Sequence, residues 1–372
     1  MRGDRGIWII ILLLSLISLA AVYSSSSALA FHQGRSASFF LLKQLAFVTL
    51  GLATLYVCHL IPLGWYRKLA FLGMVVAITL LIVTIFVGDT HNDATRWLTL
   101  FGVSVQPSEV VKVAMVLYMA KVIEDRKFET FKEFSIFLMA PIAILCLLTL
   151  WGSISAGLIL GGTAFLILII AGLSSKHIIK MVGIFLLGMA LIIALAKWTP
   201  LFPRIDTMIT RLTTFVDKEK GDTFQADNAK IAIASGGILG KGPGNSTQRF
   251  ILPKPNHDFI YAIIIEEYGM VGGVAILLLF LWFFFRTYLI AKRCTRSFSS
   301  LLTIGLGLLI VLQAMLHIGV NVGLLPVTGQ TLPLVSLGGT SFIAVSAAFG
   351  IILSVSRTIE KTEIKEKMEA AS

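Results

Sequence analysis

A single aspartate, Asp258, is the most prominent candidate for acid–base chemistry in this sequence. It lies where a long polar segment, residues 198–257, meets an apolar run, residues 258–285. A carboxylate can act as a general base that takes a proton from an attacking hydroxyl group. An aspartate at a helix start can also simply cap the helix and interact with its dipole. Because Pro253 and Pro255 precede it, we expect the chain to approach Asp258 in an extended conformation.

Glu109 and Lys112 form a second candidate pair, three residues apart on one helix face. Pro107-Ser108 is typical of a helix start, with Ser108 as the cap. The apolar run that follows is short, so the helix is expected to begin below the outer membrane surface and to place Lys112 within the bilayer. Such a pair is either functional or a structural salt bridge.

The segment before this helix, residues 89–109, is therefore expected to dip into the membrane against protein or a watery cavity. It contains Arg96 beside Trp97. The two residues are either an interfacial anchor or an arginine that binds an external phosphate or carboxylate.

A glycine-rich loop, residues 240–248, contains Lys241 and ends at Gln248. Glycines allow backbone N–H groups to approach an anion closely. No strand precedes the loop, so it is not a nucleotide-binding P-loop, and a flexible linker is the alternative. The pattern before it predicts short helices near 205–216 and 224–232, the first amphipathic and the second ended by Gly236-Gly237.

Near the C-terminus, Gln313, His317 and Asn321 are spaced four apart and so lie along one helix face. The following segment, residues 323–341, is apolar but interrupted by prolines and glycines. It contains Ser336 and is expected to be re-entrant, packed on protein.

The composition indicates an all-α polytopic membrane protein, with residues 1–372 as one integral membrane domain. Of the 372 residues, 56% are apolar and 14% charged, whereas a soluble domain has about a quarter charged residues. A membrane-spanning helix needs about 20 apolar residues, and about ten such runs occur. They lie near 7–27, 38–61, 69–88, 108–123, 133–151, 156–174, 178–197, 258–285, 299–323 and 339–357, with a tight turn at 152–155 between the fifth and sixth.

The distribution of basic residues predicts that both termini are cytoplasmic. With that orientation, the short outer segments hold only Arg35 and Arg96, as the positive-inside rule requires. Residues 198–257 then form one long extracytoplasmic loop between helices 7 and 8. The net charge of +11 is explained by cytoplasmic loops and lipid headgroups, so we expect membrane lipids and no nucleic acid as partners.

The inventory of reactive groups favours sugar transfer. The three cysteines are far apart, and no Cys/His ligand cluster, Ser/His/Asp arrangement or nucleotide loop occurs, which argues against redox, zinc and ATP-driven chemistry. An inverting transfer needs one carboxylate base, and cations suffice to stabilise a phosphate or pyrophosphate leaving group.

The order of motifs resembles the SEDS family, which includes FtsW, RodA and SpoVE. The motifs are Gln106-Pro107-Ser108-Glu109-x-x-Lys112, Gly236-Gly237-x-x-Gly240-x-Gly242, Leu252-Pro253 to His257-Asp258-Phe259-Ile260, Glu266-Glu267-x-Gly269, and Leu325-Pro326-x-Thr328-Gly329 to Ser336-x-Gly338-Gly339-x-Ser341. Thr331-Leu332-Pro333-Leu334 is closer to FtsW and Val327-Thr328-Gly329 to RodA, and the whole set leans to FtsW.

The resemblance implies a ten-helix peptidoglycan glycosyltransferase of the bacterial cytoplasmic (inner) membrane, with its active site on the extracytoplasmic face. Such a protein polymerises lipid II in cell division or elongation, together with a class B penicillin-binding transpeptidase and other divisome or elongasome proteins. The family's catalytic aspartate follows a histidine with one residue between them. His257 and Asp258 are adjacent here, so the catalytic role is carried to Asp258 and not to His257.

These expectations assign a role to each site residue. Asp258 deprotonates the acceptor hydroxyl, and Arg96, Lys112 and Lys241 bind the lipid pyrophosphate. Glu109 holds Lys112, and Gln248 and Ser336 complete the substrate-binding set. No cofactor is required by the motifs, and a divalent cation, Mg²⁺ or Mn²⁺, is left open. The alternatives are a lipid II flippase or transporter, and a non-catalytic scaffold of the divisome or elongasome.

Overall fold

The structure, a computed structural model, describes residues 3–32, 34, 36–91, 94–100, 103–196, 203–217 and 223–371. The described chain is dominated by helices. Nine of the ten predicted apolar runs fall wholly or mostly on a single helix, and the run at 133–151 covers α5, a π-helical turn (Ser135–Met139) and α6. The helices are α1 (Arg5–His32), α2 (Ala37–Leu60), α3 (Leu63–Val87), α4 (Pro107–Asp125), α5 (Phe131–Phe134), α6 (Ala140–Gly152), α7 (Ile154–Ile170), α8 (Ser175–Ala196), α9 (Pro203–Val216), α10 (Phe224–Gly236), α11 (Ile260–Arg293), α12 (Ser297–Asn321) and α13 (Gly339–Ala371).

The polytopic membrane class is confirmed. In the described part of the chain, seven helices are long and apolar enough to cross a membrane. The run predicted at 108–123 lies in α4, and the run at 156–174 lies mostly in α7, which has only 17 residues. The run at 178–197 lies almost wholly in α8, some of whose residues are outside the described set. The total of ten spans therefore stays a prediction.

The segment before α4 contains a small antiparallel sheet that the sequence did not predict. Strands β1 (Asp89–His91), β2 (Ala94–Leu100) and β3 (Val103–Val105) follow one another in the sheet. β2 lies against α3, α4 and α6. Its backbone N–H and C=O groups pair with those of β1 and β3, so they are satisfied although the strand packs on helices.

The helix ends confirm most of the local predictions. The turn between α6 and α7 is present, and Ser153 caps α7 by accepting the Ala156 N–H at 3.4 Å. Helices α9 and α10 match the predicted short helices. The expectation that Ser108 caps α4 is wrong, because the N-cap is Gln106, which makes no side-chain cap bond, and Ser108 lies inside the first turn.

Helix α11 is interrupted at Gly269, and the glycine-rich loop packs against this interruption. Gly269 has φ +71°, and a Cβ there would lie 2.1 Å from the carbonyl oxygen of Ile238. The Met270 N–H donates to the Gly237 carbonyl at 2.9 Å, and the Lys241 N–H donates to the Glu266 carbonyl at 2.9 Å. The glycine motifs before and within α11 therefore form one docked unit.

A small apolar cluster holds α10 against the beginning of α11, directly beside Asp258. Ala229 and Ala232 of α10 pack with Leu252, Phe259 and Ile263. The cluster is separate from the main core between the long helices, and it fixes the position of the polar turn that carries the acid.

Candidate active site

Asp258 lies in a turn immediately before α11 and is half-buried. The expected extended approach is wrong, because Lys254 takes a left-handed conformation with φ +56°. Its carbonyl accepts the N–H groups of His257 at 3.1 Å and of Asp258 at 3.2 Å. The preference of a residue before proline for extended backbone is thus overridden by the turn, and the chain reverses just before the acid.

The turn is fastened to the segment before α13 by two hydrogen bonds. The buried Ser336 hydroxyl donates to the His257 carbonyl at 2.8 Å, and the Leu337 N–H donates to the Asn256 carbonyl at 2.9 Å. Ser336, expected to bind substrate, therefore contacts the backbone that carries Asp258.

Gly329 faces the carboxylate. It has φ +64°, and a Cβ built on it would lie 3.6 Å from Asp258 Oδ2. The glycine leaves a gap of about one methyl group beside this oxygen, where a small group of a substrate could approach.

His257 contributes no positive charge next to Asp258 at neutral pH. Burial, followed by the ammonium groups of Lys254 and Lys43, lowers the pKa of His257 to about 4. The imidazole is thus neutral through the physiological range.

The Glu109–Lys112 pair is fully inside the protein. Lys112 is 1% exposed and Glu109 3%, and Lys112 Nζ lies 2.8 Å from Glu109 Oε1 and 2.6 Å from Gln313 Oε1. Ser341 donates to the other carboxylate oxygen at 3.3 Å. The pair joins α4, α12 and the start of α13, so its geometry favours a structural role in this conformation.

We predict that Lys112→Met destabilises the protein by about 3 kcal/mol, because it leaves the Glu109 carboxylate buried without its counter-charge. The double variant Glu109→Gln/Lys112→Met removes both charges and is expected to recover most of that loss. The apparent unfolding midpoint in detergent measures both. An equal loss in the single and double variants would contradict the account.

The glycine-rich loop does bind an anion, and that anion is the carboxylate of Glu266. Glu266 is 0% exposed, and Lys241 Nζ lies 2.6 Å from its Oε1. The Thr247 N–H donates to Oε1 at 3.0 Å and the Gln248 N–H to Oε2 at 3.2 Å, while the Ser246 hydroxyl also donates to Oε2. The loop is therefore an ordered receptor for an internal carboxylate, and Lys241 and Gln248 are both part of it.

The remaining predicted site residue, Arg96, lies in β2, and its side chain is outside the described residues. In the part of the chain that the structure describes, no group of three or more His, Cys, Asp or Glu side chains could hold a metal ion. A divalent cation held by several protein carboxylates does not fit these residues.

Sequence reasoning did not identify the parts played by Gly329, Asn256 and Glu266. Gly329 had a usable signal, because a glycine between Pro326 and Pro333 in a re-entrant segment indicates a special backbone position. The bond at Asn256 is a main-chain contact, so its side chain gives no signal.

Comparison with known proteins places the whole chain in one family. The model of the "Cell cycle protein" family of FtsW, RodA and SpoVE matches residues 4–361. The chain is 33% identical to stage V sporulation protein E of Bacillus subtilis, over 94% of this chain and 95% of that protein. It is 34% identical to the probable peptidoglycan glycosyltransferase FtsW of Thioalkalivibrio sulfidiphilus, over 98% of this chain and 92% of that protein.

A solved structure gives the same result for the fold. A chain of the structure described as "Structural coordination of polymerization and crosslinking by a peptidoglycan synthase complex" superposes with a TM-score of 0.76 at 25% identity, covering 96% of this chain and 98% of that one. The motifs, the polytopic helical fold and these matches agree, and the chain belongs to the FtsW/RodA/SpoVE family.

Proposed function

We propose that this chain is a peptidoglycan glycosyltransferase that polymerises lipid II, with Asp258 as its general base. The enzyme class follows from the family, since relatives that match nearly the whole chain are named probable peptidoglycan glycosyltransferases. The observation that carries the assignment to Asp258 is its setting. A half-buried carboxylate stands on a turn fixed by Ser336, and Gly329 leaves a gap beside Oδ2.

The reaction is an inverting displacement. Asp258 takes the proton from the acceptor sugar hydroxyl while that oxygen bonds to the donor's anomeric carbon. The bond between this carbon and the pyrophosphate oxygen breaks, and undecaprenyl pyrophosphate leaves with the electron pair. The proton on Asp258 is then lost to water, which restores the base.

The cations proposed for the leaving pyrophosphate differ in their surroundings. Lys112 and Lys241 are both bound to internal carboxylates, Glu109 and Glu266. Direct contact of Lys112 with substrate requires a conformation other than this one, because its side chain is 2% exposed. The Lys241 side chain is 30% exposed and can be reached from solvent while it is paired with Glu266. Arg96 lies in β2 and is the third proposed cation.

The protein is a multi-pass membrane protein. We place it in the bacterial cytoplasmic membrane as one domain, with residues 198–257 and Asp258 on the extracytoplasmic face. A class B penicillin-binding transpeptidase is the proposed partner, because a peptidoglycan synthase complex contains a chain of this fold. The sequence relatives include FtsW and a sporulation protein, and the division branch is the one we favour.

The test is polymerisation by the purified full-length chain in vesicles, with and without the transpeptidase. Fluorescent lipid II should become glycan strands, with release of undecaprenyl pyrophosphate. Movement of labelled lipid II across the vesicle membrane without polymer would instead support a flippase. Neither product, from a folded chain in complex with its partner, would support a scaffold.

We predict that Gly329→Ala lowers polymerisation by at least about tenfold, because the added methyl group would fill the gap 3.6 Å from Asp258 Oδ2. The left-handed backbone adds a cost of about 1–2 kcal/mol in stability. Gly172→Ala is the matched control, because Gly172 has φ +67° and no atom within 4 Å of a built Cβ. Equal polymerisation by the two variants would show that the gap is not used.

A further inference from the structure

The side chains on one face of α12 form hydrogen bonds with the backbone of the two segments that meet at the candidate active site. Gln313, His317 and Asn321 are 2%, 1% and 0% exposed. Gln313 Nε2 donates to the Thr331 carbonyl at 3.1 Å. His317 Nδ1 lies 2.7 Å from the Gln330 carbonyl, and it must be the donor because a carbonyl oxygen only accepts.

Asn321, one turn further along, contacts the other segment. Its Nδ2 donates to the Asp258 carbonyl at 3.1 Å and to the His317 carbonyl at 2.9 Å. Its Oδ1 accepts the Ala262 N–H at 3.1 Å. One amide therefore binds the chain on both sides of the junction where the turn becomes helix α11.

The consequence is a fixed distance between the two segments. A helix rises about 1.5 Å per residue, so residues four apart are separated by about 6 Å along its axis. His317 holds the carbonyl next to Gly329, and Asn321 holds the carbonyl of Asp258. Both segments are thus held at fixed positions on the same helix, α12.

Another buried polar residue on α12 shows that this arrangement is not general. Thr303 is 0% exposed, and its hydroxyl donates to the Ser299 carbonyl of its own helix at 2.8 Å. That bond satisfies a buried hydroxyl locally. The amides and the imidazole at 313, 317 and 321 instead reach main-chain carbonyls outside α12.

We infer that Asn321 is a positioning residue for the transfer reaction, and that the Gln313–His317–Asn321 face of α12 sets Asp258 against the Gly329 turn. The inference rests on the proposed role of Asp258 as the general base, and it adds that α12 positions this residue. Asn321 acts through the backbone of residue 258, whose carbonyl its amide binds.

The test compares Asn321→Ala with Thr303→Val in the full-length chain, reconstituted with its transpeptidase. Misplacing a reacting group by about 1 Å costs about 10²-fold in rate, so Asn321→Ala should lower kcat by about that factor with KM for lipid II nearly unchanged. Hydrogen exchange of peptides covering 258–263 should quicken in Asn321→Ala and stay at the wild-type rate in Thr303→Val.

Asn321→Ser covers the case in which the alanine variant does not fold. The hydroxyl adds no charge and is one bond shorter than the amide, so it cannot bind both the Asp258 carbonyl and the Ala262 N–H, and the same fall in kcat is expected. A wild-type kcat in a folded Asn321 variant, or an equal fall in Thr303→Val, would overturn the inference. Normal polymerisation by Asp258→Asn would overturn the proposed base instead, so the two failures can be told apart.

Discussion

Asp258→Asn is expected to abolish polymerisation while leaving the fold intact. A general base contributes about 10²–10⁴-fold to a rate, and the amide cannot take the proton from the acceptor hydroxyl. The substitution keeps the size of the side chain. The bonds that hold the turn go to the main chain, from Ser336 to the His257 carbonyl and from Asn321 to the Asp258 carbonyl. Activity is measured as the glycan strands formed from fluorescent lipid II, and the integrity of the fold as the apparent unfolding midpoint.

The matched control is Asp227→Asn. Asp227 lies in α10 within the same polar region, and its side chain is 45% exposed beside Lys230. This variant should polymerise lipid II at the wild-type rate. Strands of normal length from Asp258→Asn would remove the general-base assignment, and a similar loss in both variants would point to a general effect of charge on the outer surface.

Much of the architecture could be predicted because apolar runs and the residues that begin or end helices are local signals in the sequence. The apolar runs, the turn at 152–155 and the short helices α9 and α10 all follow from spacing and residue type. The strands at 89–105 could not be predicted, because their pairing depends on neighbours in space and the segment is short and irregular in pattern.

The candidate site divides in the same way. The position of Asp258 just before α11 and the polar face of α12 could be predicted, since a lone acid at a polar–apolar junction and a period of four need no tertiary information. The left-handed Lys254 was not readable, because the residue before a proline favours extended backbone unless distant contacts override it.

The glycine-rich loop shows most clearly what one sequence can and cannot give. Its composition left two interpretations open, an anion site and a flexible linker, and the structure shows an ordered loop whose Thr247 and Gln248 N–H groups bind a carboxylate. The identity of the anion was hidden, because Glu266 follows Lys241 by 25 residues and reads as part of an apolar helix. A motif can state the kind of ligand that a loop accepts without stating that the chain itself supplies it.

Glu266→Ala is expected to cost about 3–5 kcal/mol of stability, the range for breaking a buried ion pair. The carboxylate is 0% exposed and accepts from the Lys241 ammonium and from two backbone N–H groups, of Thr247 and Gln248. Removing it leaves several buried donors unpaired, each with its own desolvation cost. Lys241→Met removes one donor of several, and Lys241 is 30% exposed, so it should cost only about 1 kcal/mol.

The site of the damage distinguishes this account from a general loss of stability. Hydrogen exchange should quicken first in peptides covering 241–252, which lead directly into the Asp258 turn, and polymerisation should fall with it. Glu363→Ala is the control, because Glu363 is exposed on the last turns of α13 and should change neither measurement. If Glu266→Ala left exchange at 241–252 as slow as in the wild type, the carboxylate would not be what orders the loop. A rise in KM for lipid II in Lys241→Met, with hydrogen exchange unchanged, would instead support direct binding of the substrate by Lys241.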